Sequence, residues 1–144
     1  MSDPRTTSSA QEDQSACITA TLKFFRALDA RDHAACVAAF AEGGIWHRQG
    51  QALDTPQAMM ASLEKRPVGR VTAHLLNNLI AESSGPDRIT VRFLLTAYDG
   101  PATEDASAAT PRFAGVLDAT DEYRRTAKGW QLAVKSTRPV FKGA

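Results

Sequence analysis

At Arg70 the chain changes its hydrophobic period, and that change limits the folds open to it. Before Arg70, apolar residues recur every three or four positions; after it, they alternate. Helices followed by a run of strands make an α+β fold, with the helices packed on one face of a mainly antiparallel sheet. The first strand of the run, residues 71–80, makes the most specific demand. Alternation puts His74, Leu76, Asn78 and Ile80 on one face and Val71, Ala73, Leu75, Asn77 and Leu79 on the other. Neither face is cleanly polar, so the strand is expected to be covered on both sides. An imidazole and an amide kept indoors require a hydrogen-bond network or a wet cavity.

The helical half reads as three helices. Residues 14–31 predict the first, with Ile18, Leu22, Phe25 and Asp29 on one face and Cys17, Thr21, Phe24 and Leu28 beside it. Asp29 continues an apolar stripe near a helix C-terminus, where the dipole disfavours an anion. Two readings are open for it: a partly exposed acid at a helix end, or a carboxylate facing a cavity with its pKa raised. Asp32 predicts an N-cap for a second short helix that Gly43-Gly44 would end, with His33 on its solvated surface. Residues 45–48 predict a short strand whose Trp46 and His47 point to opposite faces. Thr55-Pro56 is a cap followed by proline at the first helical position, and it starts a third helix carrying Ala58, Met59, Ser62, Leu63 and Arg66.

After residues 71–80 come a turn at residues 83–87 and a strand over residues 88–98, with Ile89, Val91, Phe93, Leu95 and Ala97 on one face. Residues 99–110 are rich in Gly, Pro, Ala and Ser and predict a long mobile loop. A long strand over residues 111–125, with Gly115 at a bulge or bend, is joined by the turn 126–129 to a last strand over residues 130–138. Trp130, Leu132 and Val134 share a face of that strand. A bent sheet wrapped around the first helix leaves a cone with an apolar hollow.

The remaining signals exclude more than they assign. With 144 residues the chain fits one domain, expected over residues 14–141, behind a polar, flexible leader at residues 1–13. The leader has no apolar signal core, which predicts a cytoplasmic protein. Seventeen basic residues against 16 acidic ones give a net charge of +1, with no basic run for nucleic acid or a membrane surface. No apolar run approaches the roughly 20 residues of a membrane helix. Cys17 and Cys36 read as free buried thiols. The three histidines have no metal-ligand spacing, and no phosphate loop, dinucleotide fingerprint or Gly-x-Ser-x-Gly is present, so neither metal nor cofactor is expected.

The element order, together with Leu-Asp-Ala-Arg-Asp-His at 28–33, Gly-Ile-Trp-His-Arg-Gln-Gly at 44–50, Arg-Val-Thr-Ala-His-Leu-Leu-Asn-Asn at 70–78 and Tyr-Arg-Arg-Thr-Ala-Lys-Gly-Trp-Gln-Leu-Ala at 123–133, resembles the SnoaL-like branch of the NTF2-like superfamily. The resemblance implies an NTF2-like cone with three N-terminal helices on a strongly curved sheet. The scytalone dehydratase branch is similar at two points: its catalytic Asp falls on Asp29 and its first catalytic His on His74. Its second catalytic His would lie among Thr96, Ala97, Tyr98 and Asp99, where this chain has none. SnoaL-type cyclases are similar through an acid on the penultimate strand, here Asp118 or Asp121; an ion pair between Asp121 and Arg138 explains Asp121 equally well. The resemblance also implies a homodimer through the outer sheet face, carrying Phe93, Leu95, Val116 or Leu117, and Leu132 or Val134 according to register.

An Asp29–His74 pair would supply an acid or base near neutral pH, fit to move a proton alpha to a carbonyl or to eliminate water. Asn78, Tyr98 and Asp121 would contact the substrate's polar groups, and Phe25, Leu22, Trp46 and Met59 its apolar body. The reading is a small-molecule-binding protein, a cofactor-independent lyase or isomerase for a hydrophobic cyclic or carbonyl-containing ligand. The alternative is a non-catalytic ligand-binding or subunit-type domain.

Overall fold

A computed structural model of the chain describes residues 4–105, 107 and 109–143. The elements are α1 (Pro4–Asp29), α2 (His33–Ala38), β1 (Phe40–Arg48), β2 (Gln51–Leu53), α3 (Pro56–Glu64), β3 (Arg70–Gly85), β4 (Arg88–Pro101), β5 (Arg112–Thr126) and β6 (Gly129–Lys142). They form one six-stranded sheet in the order β2-β1-β6-β5-β4-β3, antiparallel except where β1 runs beside β6. The fold is α+β, with the helices on the concave face of a curved sheet.

The helix starts and stops follow side-chain chemistry. Asp32 accepts from the Ala35 N–H at 3.1 Å and Thr55 from the Ala58 N–H at 3.1 Å, as the caps predicted. α1 starts earlier than the periodicity indicated: residues 4–13 of the expected leader are helical, and residues 1–3 lie outside the described residues. It ends in a Schellman turn. The Arg31 N–H reaches the Leu28 carbonyl at 3.1 Å, and the Asp32 N–H reaches the Ala27 carbonyl at 2.9 Å. Arg31 occupies the left-handed position, φ 60°, usually given to glycine. Its guanidinium offsets that strain by donating to the carbonyls of Arg66 (2.9 Å), Pro67 (3.1 Å) and Arg70 (3.4 Å). The end of α1 is thereby tied to the start of β3.

The core lies between α1 and the sheet. Cys17, Thr21, Phe24, Phe25 and Leu28 are buried and Ile18 packs against them, whereas Leu22 is exposed, so the inward face of α1 is centred on the Cys17–Thr21–Phe24–Leu28 stripe with Phe25 at its edge. Phe24 meets Phe25 and Trp46 edge-on at 5.4 Å, and Phe40 stacks on Trp46 at 5.8 Å. Leu63, Val91, Phe93, Leu95, Ala119, Tyr123 and Leu132 complete it. Burial of each large side chain stabilises by about 1.5–3 kcal/mol, so emptying the Phe24 site would cost roughly 3–5 kcal/mol.

Four local departures re-aim side chains. Gly43-Gly44 does not end α2; both residues lie inside β1, where a side chain on Gly44 would meet the Leu132 carbonyl at 2.7 Å. On β3, Asn78 and Leu79 together oppose Phe93, and Asn78 has φ 57°. This bulge reverses the alternation, so Asn78 and Ile80 face out while Leu79 and Ala81 turn in. On β6, Ala133 is the extra residue; Val134 turns to the outer face and Lys135 inward, contrary to the expected Trp130–Leu132–Val134 face. Gly115, φ 150°, sits at the register shifts of β5 where the Phe141 carbonyl leaves no room for a Cβ (2.8 Å). Asp99 and Gly100 belong to β4 rather than to a loop, and β3 continues to Gly85, into the turn expected at residues 83–87. Of the loop expected at residues 99–110, residues 106 and 108 lie outside the described residues. His33 is half-buried instead of solvated.

Candidate active site

The end of α1 and the start of β3 bring Asp29 and His74 together, 45 residues apart in sequence. His74 Nδ1 lies 2.6 Å from Asp29 Oδ1, the His74 backbone N–H donates to Oδ2 at 3.0 Å, and the Thr72 hydroxyl donates to Oδ1 at 2.8 Å. Thr72 in turn accepts from Arg66 Nη2 at 2.7 Å, and Arg66 Nη1 donates to the Leu28 carbonyl at 2.8 Å. The carboxylate is held from three sides by one strand and, through Thr72, by the arginine after α3. Burial pushes the Asp29 carboxyl up, but the hydrogen bonds from the His74 ring, the His74 N–H and the Thr72 hydroxyl outweigh it and leave the group below its ordinary value. This reverses the raised pKa expected of a carboxylate at a helix C-terminus. An ionised carboxylate only accepts, so Nδ1 is the donor in this contact and Nε2 is the ring nitrogen that Asp29 does not engage.

A cavity of about 330 Å³ opens beside the pair. Phe25, Trp46, His74 and Tyr98 border it, with Leu28, Leu95 and Leu117 supplying apolar wall. The Phe25 ring lies 5.3 Å from the His74 ring. His74 is 13% exposed and Asp29 24%, but Asp29 is not part of the cavity wall; it stands behind the imidazole. Asp29 therefore meets the cavity wall only through its bond to His74.

Other expected contacts fall elsewhere. Asn78 is exposed at the β3 bulge, and Leu22 is exposed on α1. Met59 is core and borders a second cavity of about 520 Å³ near Phe40 and Arg124. Tyr98 does border the cavity, although on the strand it alternates with Ala97 and Asp99, and its ring packs on Phe113 at 5.9 Å. Asp121 is sealed inside. Its partner is Lys135, at 2.9 Å and 3.1 Å, because the Ala133 bulge brings Lys135 opposite it; Arg138 pairs with Asp118 instead. The Thr21 hydroxyl donates to Asp121 at 2.9 Å and lies 2.8 Å from the Tyr123 hydroxyl. The Lys135 ammonium sits 4.2 Å above Phe24 and 4.4 Å above Phe25. Burial pulls that ammonium below its ordinary value, and the charge and hydrogen bonds of Asp121 pull it only part of the way back.

The polar residues that the sequence did not single out are mostly cations. Arg48, Arg66, Arg70 and Lys135 border the cavity. Asp99 also borders it, buried between Arg70 and Arg112 (2.7 Å and 3.0 Å). Thr72 and Arg70 share the His74 face by simple alternation, and Arg66 lies at the end of the α3 stripe, so part of this set carried a signal. Among the described residues, no three His, Cys, Asp or Glu side chains are placed to hold a metal ion. No described helix is long and apolar enough to cross a membrane.

Several solved structures share this architecture. An NTF2-like protein with a cystatin-like fold from Novosphingobium aromaticivorans superposes with a TM-score of 0.77 at 17% identity, over 97% of this chain and 92% of that one. A candidate scytalone dehydratase from the same organism gives 0.75 at 16% identity, over 93% and 88%. A ketosteroid isomerase-like protein from Erwinia carotovora atroseptica gives 0.68 at 16% identity, over 90% and 97%. At these identities the likeness concerns the fold. No curated protein matches the chain. The family model of the SnoaL-like domain matches residues 9–135, from within α1 into β6. With that match the chain belongs to the SnoaL-like domain family, on a fold shared with NTF2-like proteins.

Proposed function

We propose that the protein is a cofactor-independent acid–base catalyst, a lyase or isomerase acting on a cyclic carbonyl compound through His74. One observation carries this reading: Asp29 occupies Nδ1 of an imidazole that borders a cavity, which leaves Nε2 as the nitrogen available to a ligand. Nε2 would take the proton from a carbon alpha to the carbonyl. The electron pair of that C–H bond moves into an enolate, and Asp29 stabilises the resulting imidazolium. Returning the proton to another carbon gives isomerisation; delivering it to a departing hydroxyl gives water and an alkene. Asp29 is a positioning residue in this scheme, since it meets the imidazole and not the ligand.

A non-catalytic binding role is favoured by a different observation. The stretch Thr96–Asp99 supplies no second histidine, and Asp99 is already engaged by two arginines. The two readings part on deuterium exchange. Cyclic ketones and hydroxyketones that bind are incubated in D2O with wild type and with His74→Ala. Exchange by wild type that His74→Ala loses is the expected result; equal exchange for every bound ketone leaves a binding protein.

We also propose a homodimer through the outer face of the sheet. Phe93, Leu95, Leu117 and Leu132 point inward and do not serve it, whereas Val116 and Val134 face outward. The same face shows Val71, Leu75, Phe113 and Phe141 exposed to solvent. A sedimentation measurement giving twice the 15.5 kDa chain mass is the expected result.

A further inference from the structure

The cavity wall holds more positive charge than it neutralises. Arg31, Arg48, Lys65, Arg66, Arg70 and Lys135 all border it. Among the described residues, only Arg70 and Lys135 of these have carboxylate partners, Asp99 and Asp121. Asp99, the acid in the wall, is shared with Arg112, and Asp29 behind the wall is bonded to His74. Arg31 is engaged by three carbonyls and Lys65 is exposed. Arg66 has no carboxylate partner either, but both its Nη atoms already donate, to the Leu28 carbonyl and the Thr72 hydroxyl, so the surplus charge with an open donor edge is that of Arg48, with Arg66 beside it.

Arg48 is the better placed of the two. It is half-buried, stacked over Trp46 at 5.1 Å, and donates through Nη1 alone to the Ser62 hydroxyl (2.8 Å) and carbonyl (3.2 Å). Among the described residues, Nη2 and Nε have no partner, which leaves one edge of the guanidinium for a planar oxyanion. Burial, and after it the nearby charge of Arg66, pull Arg48 below its ordinary value. Two like charges held close in a half-dry wall destabilise the empty protein, and an anion between them removes that cost. Arg66 also joins this charge to the reacting end, through Thr72 and Asp29 to His74.

We propose that the ligand is a ring compound bearing a carboxylate, with the carboxylate on the open edge of Arg48, beside Arg66, and the ring against Phe25 and Trp46, facing His74. This names the substrate class for the acid–base reading and rests on that reading for any chemical step after binding; the binding itself requires no turnover. A neutral hydrophobic ligand would fill the apolar wall and leave the open edge of Arg48 unmet.

Calorimetric titration at low salt with 2-naphthoate, 2-naphthamide and 2-naphthyl phosphate tests this directly. Wild type is expected to bind the carboxylate roughly ten-fold or more tighter than the amide, as a charge-assisted pair on a guanidinium would give. Arg48→Gln is expected to bring the carboxylate to the amide's level, Arg48→Lys to keep part of the preference, and Arg92→Gln, on the outer face, to keep all of it. Equal affinity for acid and amide, tighter binding of the phosphate, no binding of any of the three at millimolar concentration, or a preference that survives Arg48→Gln would each overturn the proposal. The ligand comparison on wild type stands even if Arg48→Gln fails to fold. His74→Ala separates the two readings: it is expected to keep the carboxylate preference while losing exchange, so preference reports on this site and exchange on the catalytic one.

Discussion

The cone contains two carboxylate–base pairs, and they differ in access rather than in kind. Asp121 and Lys135 are 0% and 2% exposed, closed over by the rings of Phe24 and Phe25, with the Thr21 and Tyr123 hydroxyls beside the carboxylate. Asp29 and His74 use the same kind of contact at the edge of a cavity, and the imidazole keeps one nitrogen unengaged by Asp29. In the first pair the carboxylate and ammonium meet beneath the Phe24 and Phe25 rings, and Lys135, though it borders the same cavity, is only 2% exposed and has its charge held by Asp121. In the second the acid is saturated and the base is not. A buried ion pair is thus poor grounds for a site; a base with its orienting partner behind it and space in front is better grounds.

The comparison breaks most visibly by truncating one half of the sealed pair. Asp121→Ala leaves an ammonium without its partner in an aromatic shell and is expected to cost about 3–5 kcal/mol in urea unfolding, whereas Asp121→Leu with Lys135→Met together is expected to be close to neutral. A double variant as unstable as the single one would mean that the pair, and not merely its completeness, holds the cone. The open pair is expected to cost less: Asp29→Ala removes three hydrogen bonds at a half-exposed site, roughly 1–3 kcal/mol. Its pH dependence has a definite sign. The folded-state value of Asp29 lies below the ordinary 3.8, so its contribution is complete above 3.8 and is lost as pH falls through the lower folded value. The difference in urea midpoint between wild type and Asp29→Asn is therefore expected to hold above the ordinary 3.8 and to shrink as pH falls below it; a difference that vanishes near neutral pH would contradict the hydrogen-bonding scheme.

The smallest effects belong to groups that serve neither pair. Burial pushes the Cys17 thiol up to about 12 and the Cys36 thiol up to about 11. Neither is expected to react with iodoacetamide in the folded protein at pH 8, as mass spectrometry would register. Leu22→Ser, on the exposed flank of α1, is expected to change stability within about 0.5 kcal/mol, where Phe24→Ala costs roughly 3–5 kcal/mol.

Much of this was legible in the chain because the signals were local. The change of period at Arg70 and the caps at Asp32 and Thr55 required no knowledge of distant contacts, whereas the pairing of Asp29 with His74, 45 residues apart, came from the family resemblance and not from a local signal. What escaped was register. One extra residue at Ala133 turned Lys135 inward and gave it to Asp121, and the Asn78 bulge moved Asn78 from the expected wall to the surface. A strand's alternation reports a face only while its pairing is unbroken, and a single inserted residue reverses every position beyond it. The cationic wall escaped for another reason. Arg48, Arg66 and Arg70 come from a strand, the end of a helix and the next strand, and only the closed cone sets them around one space.

The central proposal is that Asp29 orients His74 through Nδ1 and leaves Nε2 to serve as the base. It is tested most directly by the rate of deuterium exchange into a bound cyclic keto-acid, measured for wild type and Asp29→Asn at equal ligand occupancy. An asparagine amide in place of the carboxylate favours the opposite tautomer, so exchange is expected to fall by roughly 10²–10⁴-fold with little change in binding. Exchange by Asp29→Asn at the wild-type rate would contradict the account.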